Sequence, residues 1–293
     1  MNYYNDIKEK LIKNEVYANV KDYSKNRHTL NTYYEVGRIL SEAGKHYGEG
    51  IIKEYSNKLT KELNKKYSTT TLKYMRQFYM LGKSQPVADQ LTWSHYQELL
   101  PIKDDNERSY YINRCINNNL SKRDLRKIIR ENEYERLPKI TKEKLKNKEK
   151  LTLIENIKEP IIIKNNNLTN NISEYVLKEA ILDDLDNFLK QLGDGYCYIE
   201  NEYKIRLGDR YNYIDMLLFN IKYNCYVVLE LKVTELKKEH ISQTKFYMNY
   251  IDKNIKNITH DKTKGIIIVK ENNNYVIKYL HDQNIKTVKY ELI

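Results

Sequence analysis

YNYIDMLLFNIKYNCYVVLELK, residues 211–232, is the segment with the strongest structural signal in this chain. Two runs within it, 213–219 and 225–231, are rich in apolar, β-branched and aromatic residues. Such runs are typical of strands buried in a sheet, and the short polar segment between them is typical of a turn. The segment therefore predicts two adjacent strands.

Three charged residues interrupt this apolar setting: Asp215, Glu230 and Lys232. Residues i and i+2 of a strand point to the same face, so Glu230 and Lys232 project together and Leu231 points to the other face. If the strands pair, Asp215 lies close to Glu230. Buried carboxylates need compensation of their charge, and carboxylate oxygens suit a hard divalent cation such as Mg²⁺.

The segments around this pair predict a mixed α/β domain. One amphipathic helix is expected over residues 172–192 and another over 239–251. The run GIIIVK, 265–270, is apolar up to its final lysine and is typical of a strand covered on both faces. The remaining strands are expected at 196–200, 203–207, 275–279 and 286–292.

The first half of the chain predicts an all-α domain. Residues 48–67 and 70–80 form a helix, a short turn and a second helix carrying Lys73 and Arg76. This order is compatible with a helix-turn-helix reader of DNA, although the pattern alone favours ordinary helix packing. Other helices are expected at 3–24, 29–43, 91–102, 104–118 and 121–132.

Positive charge is concentrated in the first half. Residues 1–150 contain 31 Lys and Arg against 20 Asp and Glu, so they account for the whole net charge of +11. A basic module joined to a neutral one indicates a polyanionic partner for the first. The exposed basic residues of 121–132 are then either phosphate contacts or a solvated helix face: Arg123, Arg126 and Lys127.

We predict three parts in the chain: a helical nucleic-acid-binding domain over 1–137, a linker over 138–170 and an α/β domain over 171–293. The linker contains the run TKEKLKNKEK and the Asn-rich KNNNLTNN, in which apolar periodicity fades. One docked segment is expected within it, around 151–163.

Composition excludes several classes of protein. Mean hydropathy is −0.79 and no apolar run approaches the ~20 residues of a membrane span. The first residues, MNYYNDIKEK, lack the apolar core of a signal peptide, so a cytoplasmic, soluble protein without a membrane partner is expected. The three cysteines are scattered, which disfavours disulfide or zinc frameworks, and no motif predicts an organic cofactor.

An Asp followed about fifteen residues later by Glu-x-Lys, with a helix after it, is the active-site order of the PD-(D/E)xK nuclease superfamily. Here it stands as Asp215 and Glu230-Leu231-Lys232, followed by Gln243 and KFYMNYID. The sequence closely resembles the YhcG-like family. The resemblance rests on this segment and on two segments of the first half, VGRILSEAGKHYGEGIIKEYSNKLTKELNKKYSTTTLKYMRQFYM and LTWSHYQELL. Members of that family combine an N-terminal helical DNA-binding domain with a C-terminal restriction-endonuclease-like nuclease domain.

The resemblance implies roles for individual residues. Asp215, Glu230 and the backbone carbonyl of Leu231 would bind Mg²⁺ or Mn²⁺, Lys232 would orient or activate the attacking water, and Gln243 would support the site. The helix before the strands would offer an acid to the metal through water. Asp183 holds the matching place, and Glu179 is the alternative one turn away.

Alternatives to a DNA endonuclease stay open at this point. The three charged residues are also compatible with a structural ion pair, or with a nuclease fold that binds nucleic acid or serves in assembly without cutting. The metal site does not distinguish DNA from RNA, and only the resemblance favours DNA. A homodimer is expected by analogy with related nucleases.

Overall fold

The computed structural model describes residues 3–18, 25–48, 50–84, 90–164, 172–279 and 282–293. The chain divides into two units, Met1–Tyr134 and Glu135–Ile293. The first is helical and the second is a mixed sheet flanked by helices, which confirms the predicted fold classes. Among the described residues, no helix has both the length and the apolar composition needed to cross a bilayer.

The first four helices of the first unit are amphipathic, and their apolar faces meet in one core. Buried members of this core include Leu11 of the first helix, Leu40 of the second and Met75 of the fourth. The described helices are α1 (Tyr3–Ala18), α2 (Lys25–Tyr47), α3 (Ile51–Glu62), α4 (Thr69–Ser84), α5 (Trp93–Leu99), α6 (Asp105–Asn118) and α7 (Lys122–Arg130).

Helix α2 packs very closely on α4 at one glycine. A Cβ atom added to Gly37 would lie 2.0 Å from the carbonyl oxygen of Met75, so only glycine fits there. Helix α2 also continues past Gly44, where the sequence predicted its end. Helices α3 and α4 have the predicted order, but a helix-turn-helix function stays a prediction, and residues 19–24 lie outside the described range.

The second unit is a six-stranded sheet in the order β1-β6-β5-β4-β3-β2. Strands β2, β3 and β4 are antiparallel neighbours, whereas β4, β5, β6 and β1 pair in parallel. Its elements are α8 (Lys139–Lys146), β1 (Ile161–Ile163), α9 (Glu174–Asp183), α10 (Leu185–Leu192), β2 (Tyr196–Leu207), β3 (Arg210–Asn220), β4 (Cys225–Glu235), α11 (Lys238–Asn254), β5 (Lys264–Glu271), α12 (Asn274–Tyr279) and β6 (Ile285–Leu292).

Helices cover both faces of this sheet. Leu177 of α9 and Phe188 of α10 pack in one core with Leu229 and Leu231 of β4. Tyr247 of α11 packs in a second core with Val228 of β4 and other apolar residues of β2 and β3. Because neighbouring residues of β4 serve different cores, the strand is buried on both sides.

Four elements predicted for this unit differ in the structure. The helix expected over 172–192 is divided at Asp184, and the strands expected at 196–200 and 203–207 form one strand with a bulge between Tyr198 and Glu200. The strand expected at 275–279 is α12. The Asn273 side chain accepts the N–H groups of the first turn, and a helix suits the crossover between parallel β5 and β6.

The interval 138–170, predicted to be a linker, contains secondary structure in its described part. It contains α8 and β1, and Ile161 of β1 pairs with Tyr290. The Tyr223 hydroxyl donates to the Leu151 carbonyl at 3.0 Å, which ties the segment to the turn between β3 and β4. The docked segment expected around 151–163 therefore extends into the sheet, while the domain limits stay a prediction and residues 165–171 lie outside the described range.

Candidate active site

The candidate site lies where the backbone pairing of β3 and β4 ends. The last paired residues on this side are Met216 and Leu229. One residue further along, side chains replace the backbone acceptors. The N–H of Asp215 donates to Glu230 Oε1 at 3.3 Å, and the N–H of Leu231 donates to Asp215 Oδ2 at 2.9 Å. The predicted approach of these two carboxylates is therefore present.

Lys232 lies between the two carboxylates. Its Nζ is 3.5 Å from Asp215 Oδ2 and 3.5 Å from Glu230 Oε2. Leu231 points away into the core under α9, as the alternation of a strand requires. The hairpin thus brings together the three charged residues that the sequence singled out.

Glu230 is the most deeply buried of these groups, with 2% of its surface exposed. Burial, reinforced by the negative charge of Asp215, raises the pKa of Glu230 to about 7, although Lys232 acts in the opposite direction. A buried carboxylate beside a second carboxylate is favourable only with cationic compensation. Lys232 is the ammonium that faces Glu230, and it also serves Asp215, so the negative charge of Glu230 is only partly compensated.

Lys232 stays protonated in this setting. Burial alone would lower its pKa, but the carboxylates of Asp215, Glu230 and Glu174 outweigh burial and raise the pKa above its ordinary value. An ammonium with a raised pKa donates hydrogen bonds and supplies positive charge. It is unsuited to accept a proton at neutral pH.

Helix α9 contributes two residues that the sequence analysis did not select. Glu174 Oε2 lies 3.7 Å from Lys232 Nζ, and Lys178 Nζ lies 3.2 Å from Asp215 Oδ1. The two are four residues apart, on one face of the helix. Their signal in the sequence is the buried stripe of Leu177 and Ile181, which marks the face of α9 turned to the sheet.

Asp183 and Glu179, the two residues expected to supply the helix acid, lie elsewhere on the helix, and their role stays a prediction. Both are exposed. Glu179 is turned by roughly 140° from Glu174 about the helix axis; Asp183 is turned by roughly 180° and lies about 13 Å further along it. The helix acid in contact with the motif is therefore Glu174.

Lys178 links Asp215 to strand β2. Its Nζ lies 3.1 Å from Glu202 Oε1 as well as near Asp215, and only 11% of its side chain is exposed. Burial opposes the charge of this lysine, but the two carboxylates outweigh burial and raise its pKa.

Gln243 lies on α11 in the predicted position relative to the motif. It is exposed, and its Nε2 donates to the Tyr247 hydroxyl at 2.9 Å. Burial raises the pKa of Tyr247, as do the negative charges of Glu230 and Asp215, so this phenol stays protonated beside the carboxylates. Gln243 thus orients a tyrosine that faces the site. The role predicted for the Leu231 carbonyl stays a prediction.

The basic residues predicted to contact nucleic acid differ in their surroundings. Arg126 is engaged by a bidentate pair with Glu98, at 3.1 Å for Nε and 2.6 Å for Nη2. Lys127 lies 3.9 Å from Glu131. Lys73 and Arg123 are exposed, and within the described ranges neither has an ion-pair partner.

Arg76 lines an open cleft of about 740 Å³ in the first unit. The cleft also contains Lys45, Lys103 and Arg108, over an apolar lining that includes Met80. Positive charge around a partly apolar concavity suits an anionic partner.

Comparison with known proteins identifies both halves of the chain. Residues 154–292 match the YhcG PDDEXK nuclease domain, and residues 8–136 match the DUF1016 N-terminal domain. The chain is also 24% identical to the "Putative nuclease YhcG" of Escherichia coli (strain K12), over 75% of this chain and 70% of that relative. The two matches together reproduce the two-domain architecture of the YhcG-like family. The second unit is thus a PD-(D/E)xK nuclease domain, as the sequence predicted.

Two solved structures resemble parts of this YhcG-like chain. One is described as "crystal structure of a repair endonuclease from Pyrococcus abyssi"; identity is 19%, the TM-score is 0.30, and the match covers 43% of this chain and 49% of that one. The other is described as "Structure of EndoMS-dsDNA2 complex", with 19% identity, a TM-score of 0.32 and coverage of 44% and 46%. The match spans about half the length of each solved chain.

Proposed function

We propose that this chain is a divalent-metal-dependent endonuclease that hydrolyses phosphodiester bonds of DNA. The observation that carries the proposal is the end of the β3–β4 ladder. There the carboxylate of each of Asp215 and Glu230 accepts a backbone N–H from the neighbouring strand. Lys232 Nζ lies 3.5 Å from both carboxylates. The PD-(D/E)xK family membership supports the nuclease part of the proposal.

The donor set fits Mg²⁺ or Mn²⁺. Asp215 and Glu230 offer carboxylate oxygens, which these ions prefer, and burial together with the negative charge of Asp215 raises the pKa of Glu230, which a bound cation would counteract. The part of the chain that the structure describes contains no group of three or more His, Cys, Asp or Glu arranged to hold a metal. The protein would therefore supply two carboxylates, and water and phosphate oxygens would complete the coordination. A divalent ion bound there would make a water molecule more acidic and stabilise negative charge on the phosphate.

Lys232 acts on the substrate as a cation. Because its pKa is raised, its ammonium group donates hydrogen bonds to the attacking water or a phosphate oxygen and stabilises the charge that develops there. Asp215 and Glu230 orient this ammonium from two sides. Gln243 donates to the hydroxyl of Tyr247, a phenol whose pKa is raised by burial and by the negative charges of Glu230 and Asp215.

The first unit would hold the DNA. Its excess of basic residues, the exposed Lys73 and Arg123 and the cleft at Arg76 support contacts to phosphates. Such contacts position a duplex without reading its sequence. A homodimer stays a prediction, which sedimentation of the full chain tests.

A cleavage assay tests this function. The full chain is incubated with linear, branched and single-stranded DNA and with RNA, in Mg²⁺, Mn²⁺ or EDTA. We expect DNA cleavage that needs a divalent ion and falls by about 10³-fold in Glu230→Gln. Asp186→Asn is the matched control, because Asp186 is an exposed carboxylate of α10 that pairs with Lys190. Equal cleavage by the wild type and Glu230→Gln would show that the activity comes from elsewhere.

An alternative is a nucleic-acid-binding protein whose nuclease fold does not cut. One observation favours it: each oxygen of Asp215 faces a lysine, Lys178 on one side and Lys232 on the other. Salt-sensitive DNA binding that ignores Mg²⁺ and Mn²⁺, with no cleavage of any substrate, would support this alternative over the nuclease.

A further inference from the structure

Lys178 is a second buried cation at the site, outside the Asp…Glu-x-Lys motif. Its Nζ lies 3.2 Å from Asp215 Oδ1 and 3.1 Å from Glu202 Oε1, and 9% of the residue is exposed. Its position follows from α9, where Leu177 anchors the same turn in the core. A buried lysine held by two carboxylates is fixed in place more firmly than a surface lysine.

The two oxygens of Asp215 are divided between different partners. Oδ2 accepts the N–H of Leu231 and faces Lys232, on the side of Glu230. Oδ1 faces Lys178, on the side of β2. Asp215 is therefore shared by two ammonium groups, those of Lys178 and Lys232, which lie at similar distances from its two oxygens.

Only the Oδ2 side of Asp215 has a second carboxylate from the Asp…Glu-x-Lys motif. Glu230 shares Lys232 with Asp215, and its oxygens point to the Oδ2 side. On the Oδ1 side, the acid beyond Lys178 is Glu202, which the lysine already engages. Nucleases with two ions hold them about 3.5–4 Å apart, which requires ligands on both sides of a shared carboxylate.

We propose that Lys178 takes the place of a second divalent ion beside Asp215, so that the site binds one ion per chain. This inference rests on the proposed metal-dependent function. A second ion at Oδ1 would have to displace an ammonium from two carboxylates and would then be repelled by it. The ammonium instead provides a fixed positive charge on that side and needs no ion from solution.

Metal counting tests the inference without relying on cleavage. The full chain, without DNA, is titrated with Mn²⁺ by calorimetry, and bound Mn²⁺ is counted by electron paramagnetic resonance. We expect one ion per wild-type chain and two per Lys178→Glu chain. Lys178→Met, which removes the charge but keeps the length of the side chain, should still bind one ion, about tenfold more tightly.

Two further variants complete the design. Lys190→Met removes an exposed lysine of α10 and should bind Mn²⁺ as the wild type does. Glu230→Gln should abolish or strongly weaken the counted site, which assigns it to the motif. Circular dichroism verifies that each variant is folded, and Lys178→Met carries the test by itself if Lys178→Glu does not fold.

The outcomes separate the inference from the function on which it rests. Two ions per wild-type chain, one ion in folded Lys178→Glu, or unchanged affinity in Lys178→Met would each overturn the role of Lys178 and leave the nuclease proposal standing. A wild-type chain that binds no Mn²⁺ and cuts no DNA would overturn both.

Discussion

Asp215 and Glu230 accept hydrogen bonds across the same pair of strands, beyond the last backbone pair of β3 and β4. The N–H of Asp215 donates to Glu230 Oε1 at 3.3 Å, and the N–H next to Glu230, that of Leu231, donates to Asp215 Oδ2 at 2.9 Å. The two carboxylates thus replace backbone carbonyls in the ladder. Two carboxylates are therefore fixed side by side in a buried site. Such an arrangement binds cations well and is unfavourable without them.

Replacement of Glu230 should stabilise the metal-free protein at alkaline pH. Its pKa is raised from 4.5 to about 7, so its contribution to stability is fully present below about pH 4.5 and is lost as the pH rises through about 7. Glu230→Gln has no carboxyl group that can ionise at this position, so the variant does not lose stability in this pH range. Between pH 4.5 and 8, we expect the unfolding free energy of the variant to gain about 2–3 kcal/mol relative to wild type. Urea denaturation in EDTA measures it, and parallel pH curves for the two proteins would contradict the assignment.

Metal binding should release a proton from Glu230. A divalent ion binds the ionised carboxylate, so the affinity for Mn²⁺ should rise by about tenfold per pH unit below pH 7 and level off above it. Calorimetry at pH 6 in two buffers of different ionisation enthalpy measures the proton directly. Asp186→Asn should behave as wild type, because its carboxylate is exposed on α10. An affinity that does not change between pH 5.5 and 7 would exclude Glu230 as the ligand that titrates.

Glu174 should matter to the site more than Asp183 does. Glu174 lies 3.7 Å from Lys232 Nζ, whereas Asp183 is exposed on the opposite side of α9. We expect Glu174→Gln to lower the cleavage rate by about tenfold, because Lys232 loses one of the carboxylates that orient it. Asp183→Asn and Glu179→Gln are isosteric controls on the same helix and should stay within twofold of wild type. A larger effect of Asp183→Asn than of Glu174→Gln would show that Asp183, and not Glu174, is the helix acid of the site.

Local patterns predicted the centre of the site but not its surroundings. Asp215, Glu230 and Lys232 follow from the alternation of one strand and the pairing of two neighbouring strands, which a sequence displays directly. Lys178 reaches Asp215 only because α9 packs on β4 at a particular rotation. That rotation depends on the whole core under Leu177, and a sequence window does not contain it.

The errors in secondary structure have a similar origin. The segment 275–279 has apolar residues at spacings that fit a strand or one turn of helix, and its capping by Asn273 and its place between two parallel strands determine the outcome. Asp183 was proposed because it holds the matching place in the family pattern, which does not contain the rotation of the helix on the sheet. Helix α9 ends at Asp183, and its buried face runs through Leu177, Ala180 and Ile181 without including Asp183.

Gly37→Ala should destabilise the first unit strongly. The added methyl group would lie 2.0 Å from the Met75 carbonyl oxygen, and α2 and α4 would have to separate. We expect a loss of about 2–4 kcal/mol in the free energy of unfolding, after the helix-propensity gain of alanine. Gly44→Ala is the control in the same helix, since its methyl group would only meet Arg76 at 3.4 Å. It should be neutral or slightly stabilising, and equal Tm values for the two variants would contradict the close approach.

Arg123 and Arg126 should differ in their effect on DNA binding, although they are three residues apart on α7. Arg126 is held by a bidentate pair with Glu98, whereas Arg123 is exposed and, within the described residues, has no ion-pair partner. An arginine without a carboxylate partner can neutralise a phosphate without first breaking an ion pair. We expect Arg123→Ala to weaken binding of any DNA sequence and to reduce the slope of log K against log salt by about one, and Arg126→Ala to change the slope by less than half of that. Binding isotherms at several salt concentrations, in EDTA to prevent cleavage, measure both slopes. If neither variant changes the slope, α7 does not contact phosphates, and the cleft at Arg76 is then the surface to test.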